Sequence, residues 1–422
     1  MKIEILTIPA AWLYNFSIYF YVFYIRIAAW VSPKARLWIR GRKNIFGQIE
    51  AGLEKNKTSG KSKIWFHCAS LGEFEQGRPV MESFHEKFPE YEIFLTFFSP
   101  SGYEIRKNYT GADYIFYLPS DTVRNAKRFI ALVNPSLVVF IKYEFWFNLL
   151  DVLKQRNIPT YLVSGIFRPE QHFFQWYGGW FRKKLESFTR FFLQDTDSAR
   201  LLQSAGFTNV TISGDTRFDR VAAISSHIKN FPIIEQFCVS SRIILAGSTW
   251  PEDERIFFPY INGDHNAIKF IIAPHEISES HLRNLSEGIK KIVVKLSEAD
   301  EINIKEAGVL IIDNIGMLSS LYRYSSVAYI GGGFGAGIHN ILEAVAFGVP
   351  VVFGPRYEKF REARELAGQQ AAFPVVDSSQ FEQVIGMLLN DEAKYNYCSR
   401  TCRNYILQNK GATEKILENI NV

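Results

Sequence analysis

Cysteine is scarce in this chain, with only Cys68, Cys238, Cys398 and Cys402 among 422 residues. So few, so scattered, they exclude a disulfide framework and fit reduced thiols in a cytosolic compartment. Cys398 and Cys402 are spaced as helix neighbours, but no histidine lies near them, which makes a poor zinc site. Strong charge of one sign is also lacking. The formal net charge is +5 with 22% charged residues, a mildly basic balance that suits an acidic partner. Nucleic acid would need a denser basic patch. Metal signatures are thin as well. Asp195-Thr196-Asp197 matches a short divalent-ion pattern, but it sits between RFFLQ and SARLL, where a helix N-cap is the expected role. Gly60-Lys61-Ser62 is no phosphate loop, because Lys55 stands where such a loop needs glycine.

What the chain has is length, apolar content and aromatics. At 422 residues it exceeds one ordinary core, so two domains are expected. Ile5 to Ile25 contains no charged residue and is about long enough to cross a bilayer as a helix. Lys34, Arg36, Arg40, Arg42 and Lys43 follow, which would place this flank and the rest of the chain on the cytoplasmic side of a membrane. The expectation is a single amino-terminal anchor with a basic flank over residues 1–44. A buried or interfacial helix is the alternative. A second aromatic segment, HFFQWYGGWFRKK (His172 to Lys184), reads either as an interfacial lip or as a helix packed into a core.

Beyond the anchor the pattern is α/β. IWFHCAS, EIFLTFF, SLVVFIK and TYLVSG read as strands of a parallel sheet covered on both faces, and RIILAGST, IKFIIAPHE, GVLIID, SVAYIGG and VPVVFG as a second set. The expected domains are residues 45–225 and 226–405, with a final helix at 406–422 that could fold back on the first. Two Rossmann-like domains facing a cleft would bind ligands at the carboxyl ends of their strands. The stretch Ser326 to Pro355 reads as a strand, a glycine loop and a helix, an arrangement suited to phosphate. His339, Asn340 and Glu343 fall in the first turn of that expected helix, and Asn340 and Glu343 share a face that could hold a sugar hydroxyl. Glycines serving close packing alone are the plainer reading. In HCASLGEFEQGRPV, Glu73 follows a strand end and enters a helix, which suits either a site carboxylate or a charge serving the helix dipole.

Ten segments in order carry a family resemblance: HCASLGEFEQGRPV, TFFSPSGYE, YLPSDT, IKYEFWFNLL, LVSGIFRPE, SGDTRFDR, AGSTWPEDE, IAPHE, DNIGMLSSLYRYSSVAYIGGGF and HNILEAVAFGVPVVFGP. With them the chain resembles the Kdo transferases of Gram-negative bacteria, which move 3-deoxy-D-manno-octulosonic acid (Kdo) from CMP-Kdo to the lipid A precursor. The resemblance implies a GT-B type glycosyltransferase, α/β, bound to the cytoplasmic side of the inner membrane. It implies Glu73 as catalytic base, Glu144 as second acid, and Arg217 as a cation where the family more usually has lysine. It places the cytidine nucleotide on Pro274 and His275, on Gly316, Met317 and Leu318, and on Asn340, Ile341, Leu342 and Glu343. No metal and no separate cofactor are implied; the partners are CMP-Kdo, the lipid A precursor and an anionic membrane surface. Two departures stand out. His275-Glu276 replaces the usual Arg-His, and Lys142 stands where many relatives have an acid. A uridine-sugar transferase of the same fold, or a binding protein without turnover, are the competing readings.

Overall fold

The computed structural model describes residues 4–55, 60–227, 229–265 and 267–421, with side chains described from residue 10. The first three residues of the expected anchor, and Val422, lie outside the described residues. The chain forms two compact units: Met1–Arg220 with Lys410–Val422, and Val221–Asn409.

Unit 1 opens with helices α1 (Glu4–Ala28), α2 (Pro33–Arg42) and α3 (Ile45–Lys55). Seven strands follow: β1 (Ser62–Cys68), β2 (Tyr91–Phe97), β3 (Tyr114–Tyr117), β4 (Leu137–Ile141), β5 (Thr160–Gly165), β6 (Arg190–Leu193) and β7 (Val210–Ile212). They form one parallel sheet in the order β3-β2-β1-β4-β5-β6-β7. Helices α4 (Leu71–Lys87), α5 (Pro100–Arg106), α6 (Val123–Val133), α7 (Phe147–Gln155), α8 (Gly179–Leu185) and α9 (Thr196–Ser204) connect them, and α10 (Arg217–Ser226) follows β7. Side chains alternate across a strand, so β1 serves two cores. Ile64, Phe66 and Cys68 pack on one face of the sheet, and Trp65 on the other. Burial on both faces explains why these strands read as near-continuous apolar runs.

The carboxyl-terminal return belongs to unit 1. Its helix (Ala412–Glu418) puts Ile416 and Leu417, and the residue Ile420 just beyond it, into the core that holds Phe66 and Phe74. Asp219 accepts from the backbone N–H of Gly411 and of Thr413, the latter at 2.7 Å, and so caps that helix.

Unit 2 carries a second all-parallel sheet, built from β8 (Arg242–Thr249), β9 (Ile268–Pro274), β10 (Val293–Lys295), β11 (Val309–Ile311), β12 (Val327–Ile330), β13 (Val351–Phe353) and β14 (Ala372–Pro374). The order is β10-β11-β9-β8-β12-β13-β14. In each sheet the order reverses at the first strand, between β1 and β4 in unit 1 and between β8 and β12 in unit 2. These reversals are the places where open parallel sheets collect ligands.

The amino-terminal segment departs from the expected anchor. It is a 25-residue helix, yet no helix among the described residues is long and apolar enough to cross a membrane. Tyrosines, Asn15 and Ser17 dilute it, and one face is docked on unit 1. The Tyr14 hydroxyl donates to Asp121 at 2.6 Å, and its ring packs on Phe147 and Trp180 with centroids 4.8 and 6.0 Å away. Asn148 donates to Asn15 at 3.1 Å, and Ile25 is buried. Trp12, Phe16, Tyr19, Phe20, Phe23 and Tyr24 are exposed on the other side, so the stripe follows helical spacing. The second aromatic segment also divides. Phe173 and Trp180 are buried in the core and Phe174 and Phe181 pack against it, which leaves Trp176 and Tyr177 exposed.

Candidate functional site

In unit 1 the polar residues gather at the carboxyl ends of β1, β4 and β5. β1 ends at Cys68, and Ala69 and Ser70 turn the chain into α4 with Glu73 in its first turn. The Ser70 hydroxyl donates to the Glu73 carboxylate. Across the reversal, β4 ends at Ile141 and Lys142 takes the left-handed conformation, φ 71°. Strain of this sort in a non-glycine residue persists where neighbours over-determine the backbone; here the Lys142 N–H donates to Val163 O at 2.8 Å. Burial pulls the Lys142 ammonium down, while the Glu73 carboxylate pushes it up; Arg217, Asp215 and Arg168 also act on it. The Cys68 thiol is raised by burial and by the fields of both Glu73 and Glu144. Glu73, Glu144, Lys142 and Arg217 therefore share one neighbourhood.

Arg217 is held as a fork. Its Nε donates to Asp215 Oδ2 at 2.8 Å and its Nη2 lies 2.7 Å from the same oxygen, while its N–H donates to Asp215 Oδ1. Thr216 next to it donates to Gln76 O at 2.6 Å, which ties this turn to α4. The arrangement fixes guanidinium orientation in a way a lysine point charge would not.

Glu144 is gripped by a relay that begins in the core. Trp65 Nε1 donates to Thr96 Oγ1 at 2.8 Å, and Thr96 Oγ1 lies 2.8 Å from His67 Nδ1. His67, fully buried, places Nε2 3.1 Å from Glu144 Oε2. Trp146 Nε1 donates to the same carboxylate oxygen at 2.6 Å, nearer than its 3.0 Å approach to His67 Nε2. Having accepted from Trp65, the Thr96 hydroxyl has its own proton to give to Nδ1. That leaves the Nε2 proton for Glu144, and every donor in the chain points toward the carboxylate.

Two residues of this cluster were not assigned a role by sequence reasoning. His67 was legible only as a lone histidine in an apolar strand. Lys142 stood out only as a departure from the family pattern. Asp195 is a helix cap, accepting from Ser198 N–H at 2.7 Å.

In unit 2 the turn after β12 lies beside the end of β8. Gly331 passes so close that a Cβ there would come within 2.1 Å of Ser248 O. Asp253, buried in the helix Pro251–Ile261, accepts from Gly332 N–H at 2.8 Å, from Trp250 N–H at 3.0 Å and from the Tyr329 hydroxyl at 3.0 Å. It staples the glycine loop to the sheet. The loop does not run straight into a helix. Residues 338–341 are irregular, with the His339 N–H bonded to Gly331 O at 3.0 Å, and the helix covers only Leu342–Val345. His339 and Asn340 thus precede the helix rather than opening it. Asn340 Oδ1 accepts from Leu342 N–H at 3.1 Å, and its Nδ2 lies 3.4 Å from Glu343 Oε1. Ile341 and Leu342 are fully buried, so the polar contacts of this segment come from Asn340 and Glu343.

Three rings stack at the ends of β8, β9 and β12. His275, next to Pro274 at the end of β9, has its ring centroid 4.6 Å from Trp250 and 4.6 Å from His339. Trp250 Nε1 donates to His339 Nε2 at 3.3 Å. Burial and the neighbouring His275 push His339 down to about 4, so it is neutral at physiological pH. Gly316 has φ 102° and, with Met317, forms the turn before the short helix Leu318–Leu321. Two imidazoles stacked with an indole offer a flat face to a heteroaromatic ring, and a glycine turn can offer backbone N–H groups to a phosphate.

Comparison with known proteins fits this geometry. Residues 41–220 match the family model described as 3-Deoxy-D-manno-octulosonic-acid transferase (kdotransferase). Curated proteins named 3-deoxy-D-manno-octulosonic acid transferase align over most of the chain. The one from Aquifex aeolicus is 26% identical, covering 78% of this chain and 87% of its own. That from Chlamydophila psittaci is 25% identical over 81% of each, and that from Rickettsia bellii 24% identical over 92% of this chain and 90% of its own. Among solved structures, a UDP-GlcNAc 2-epimerase from Neisseria meningitidis bound to UDP-GlcNAc superposes with TM-score 0.59 at 16% identity, covering 84% of this chain and 98% of that one. A glycosyltransferase from Rickettsia africae gives TM-score 0.55 at 14% identity, covering 85% and 97%. At such identity the structures speak for the fold alone. The resemblance to the Kdo transferases holds over most of the chain, and with it the reading of the chain as an enzyme, a glycosyltransferase.

Proposed function

We propose that this Kdo-transferase-like enzyme takes Kdo from CMP-Kdo and transfers it to the lipid A precursor with inversion at the anomeric carbon. The observation that carries the reading is the charge gathered about the order reversal of the first sheet, where Glu73 and Arg217 act on Lys142, and Glu73 and Glu144 on Cys68. Glu73 takes the proton from the attacking sugar hydroxyl, and a placed general base contributes roughly 10²–10⁴-fold. Glu144, oriented by His67 and Trp146, positions the acceptor or balances the positive charge of an oxocarbenium-like transition state. Arg217 and Lys142 offset negative charge on the donor. Unit 2 holds the cytidine nucleotide through the Trp250–His275–His339 stack, the Gly316–Leu318 turn and the Asn340–Glu343 pair. The base needs no metal, and no separate cofactor enters the scheme.

The exposed aromatic face of α1 supports a place on the cytoplasmic face of the inner membrane, with the helix lying in the interface rather than crossing it. The test is incubation with tetraacylated lipid A precursor and CMP-Kdo generated in situ, read by mass spectrometry. Product gaining the mass of Kdo is expected, and Glu73→Gln should lower its rate by at least about 10²-fold while CMP binding stays unchanged. Wild-type-like turnover by Glu73→Gln would remove the base from the mechanism.

A further inference from the structure

Lys142, partly buried at the carboxyl end of β4, keeps its ammonium uncommitted. Among the described residues that ammonium takes no ion pair and no hydrogen bond. It lies 5.2 Å from the ring centroid of its neighbour Tyr143. Arg217, which also acts on it, is already forked onto Asp215, and Arg168 acts on Tyr143 as well as on Lys142.

Packing fixes where Lys142 stands relative to Glu73. Helix α4 crosses the ends of β1 and β4 so tightly that a Cβ on Gly77 would come within 2.9 Å of Ile141 Cγ1 and 3.4 Å of Cys68 Sγ. Glu73 is four residues earlier, on the same face and one turn nearer the helix start. It therefore stands over the residue that follows Ile141, which is Lys142, and its charge acts on that ammonium. The left-handed backbone of Lys142 and its N–H bond to Val163 O hold the stem in this turn. The two charges are neighbours, yet farther apart than an ion pair, so a ligand group can enter between them.

We infer that Lys142 binds the carboxylate of the sugar being transferred, an assignment that rests on the transfer proposed above. Kdo is an ulosonic acid, so its carboxylate is attached to the anomeric carbon itself. The oxygen that Glu73 deprotonates lies within hydrogen-bond reach of it, about 3 Å, and the anomeric carbon about 3 Å beyond. With inversion the phosphate leaves on the far side of that carbon, away from Glu73, whereas the carboxylate lies beside the line of attack. A cation next to the base therefore meets the carboxylate before the phosphate. Without Lys142, the carboxylates of Glu73 and of the sugar would face each other in a partly desolvated site. An ammonium between them offsets both. A neutral sugar has no such group, so the same side chain selects an acidic donor.

The test uses two variants of the full chain. Lys142→Met removes the charge and keeps an unbranched stem; Lys142→Arg keeps the charge. Initial rates with tetraacylated lipid A precursor are measured as CMP-Kdo is varied, and CMP is titrated as a competing product. Lys142→Met should raise the KM for CMP-Kdo about tenfold. The inhibition constant of CMP, which has no carboxylate, should stay within about twofold of wild type. Lys142→Arg should lie within about threefold of wild type in both. A CMP constant that rises in step with the KM would place the cation on the phosphate. An unchanged KM would place it on no donor group, and if the acid limb of the kcat profile then moves, its role is to tune Glu73. Each of these results overturns the carboxylate assignment, as does an arginine variant impaired as much as the methionine one. Wild-type protein that transfers no Kdo removes the proposed reaction, and the assignment with it, before any variant is compared.

Discussion

Glu144 accepts from two donors, one reaching it from the next turn of its own loop and one from the middle of the sheet. His67 touches no solvent, so it acts through Glu144 rather than on a substrate. In the reaction proposed above it is a positioning residue. His67→Ala should lower kcat by about 10- to 100-fold with little change in KM, since a rotated carboxylate misplaces the reaction more than the binding. His67→Gln, whose amide can still donate toward Glu144, should recover part of the loss, which a purely structural defect would not allow. Steady-state kinetics of the two variants checks this. Neither His67 nor Lys142 could be given a role from the sequence, because their meaning lies in tertiary neighbours: Thr96 from the adjoining strand, and Glu73 across the sheet reversal. Glu73 and Glu144 were legible only through ordered family motifs. Spacing alone left Glu73 open to a dipole role, and the structure keeps it in the first turn of α4 while adding Lys142 and Ser70 beside it.

Among the elements, the strands were plain in the sequence because both faces of each sheet are buried, which writes them as apolar runs. Two elements were not plain. The helix expected directly after the glycine loop is delayed to Leu342, because backbone bonds from Gly337 and His339 return to Gly332 and Gly331 and consume the turn. The amino-terminal run looked like a span because apolar length shows in a sequence and docking partners do not. Its grip on the body runs through Asp121, which also accepts from the N–H groups of Asn148 and Leu149 at 2.9 and 3.0 Å. Burial outweighs these donors and raises Asp121 from 3.8 to about 6. The folded chain therefore holds this proton more tightly than the unfolded chain, so the stability due to Asp121 is greatest below pH 3.8 and is lost as pH rises toward about 6. Wild-type stability measured against Asp121→Asn should fall across that window and level off above it. Denaturant unfolding at a series of pH values measures the difference, and a flat difference would contradict the assignment.

For the whole molecule, the division into units does not follow the order of the chain. Unit 1 is made of the first 220 residues and of the segment Lys410–Val422, and unit 2 is one continuous stretch between them. Deleting residues 410–422 removes the buried side chains of Ile416, Leu417 and Ile420 and leaves Asp219 without its two backbone donors. Losses of this kind cost about 2–5 kcal/mol per large buried side chain. The truncated chain should therefore show faster amide exchange in β1, β4 and α4, with unit 2 close to wild type. Hydrogen-exchange mass spectrometry reads both units at once. The same arrangement sets a timetable for biogenesis. Domains generally fold as they leave the ribosome, amino-terminal first, but here the earliest unit lacks its closing helix until residues 410–422 have been made. Nascent chains stalled before Lys410 would carry a finished rear unit and an unfinished front one, and that front unit is the part a chaperone would have to guard.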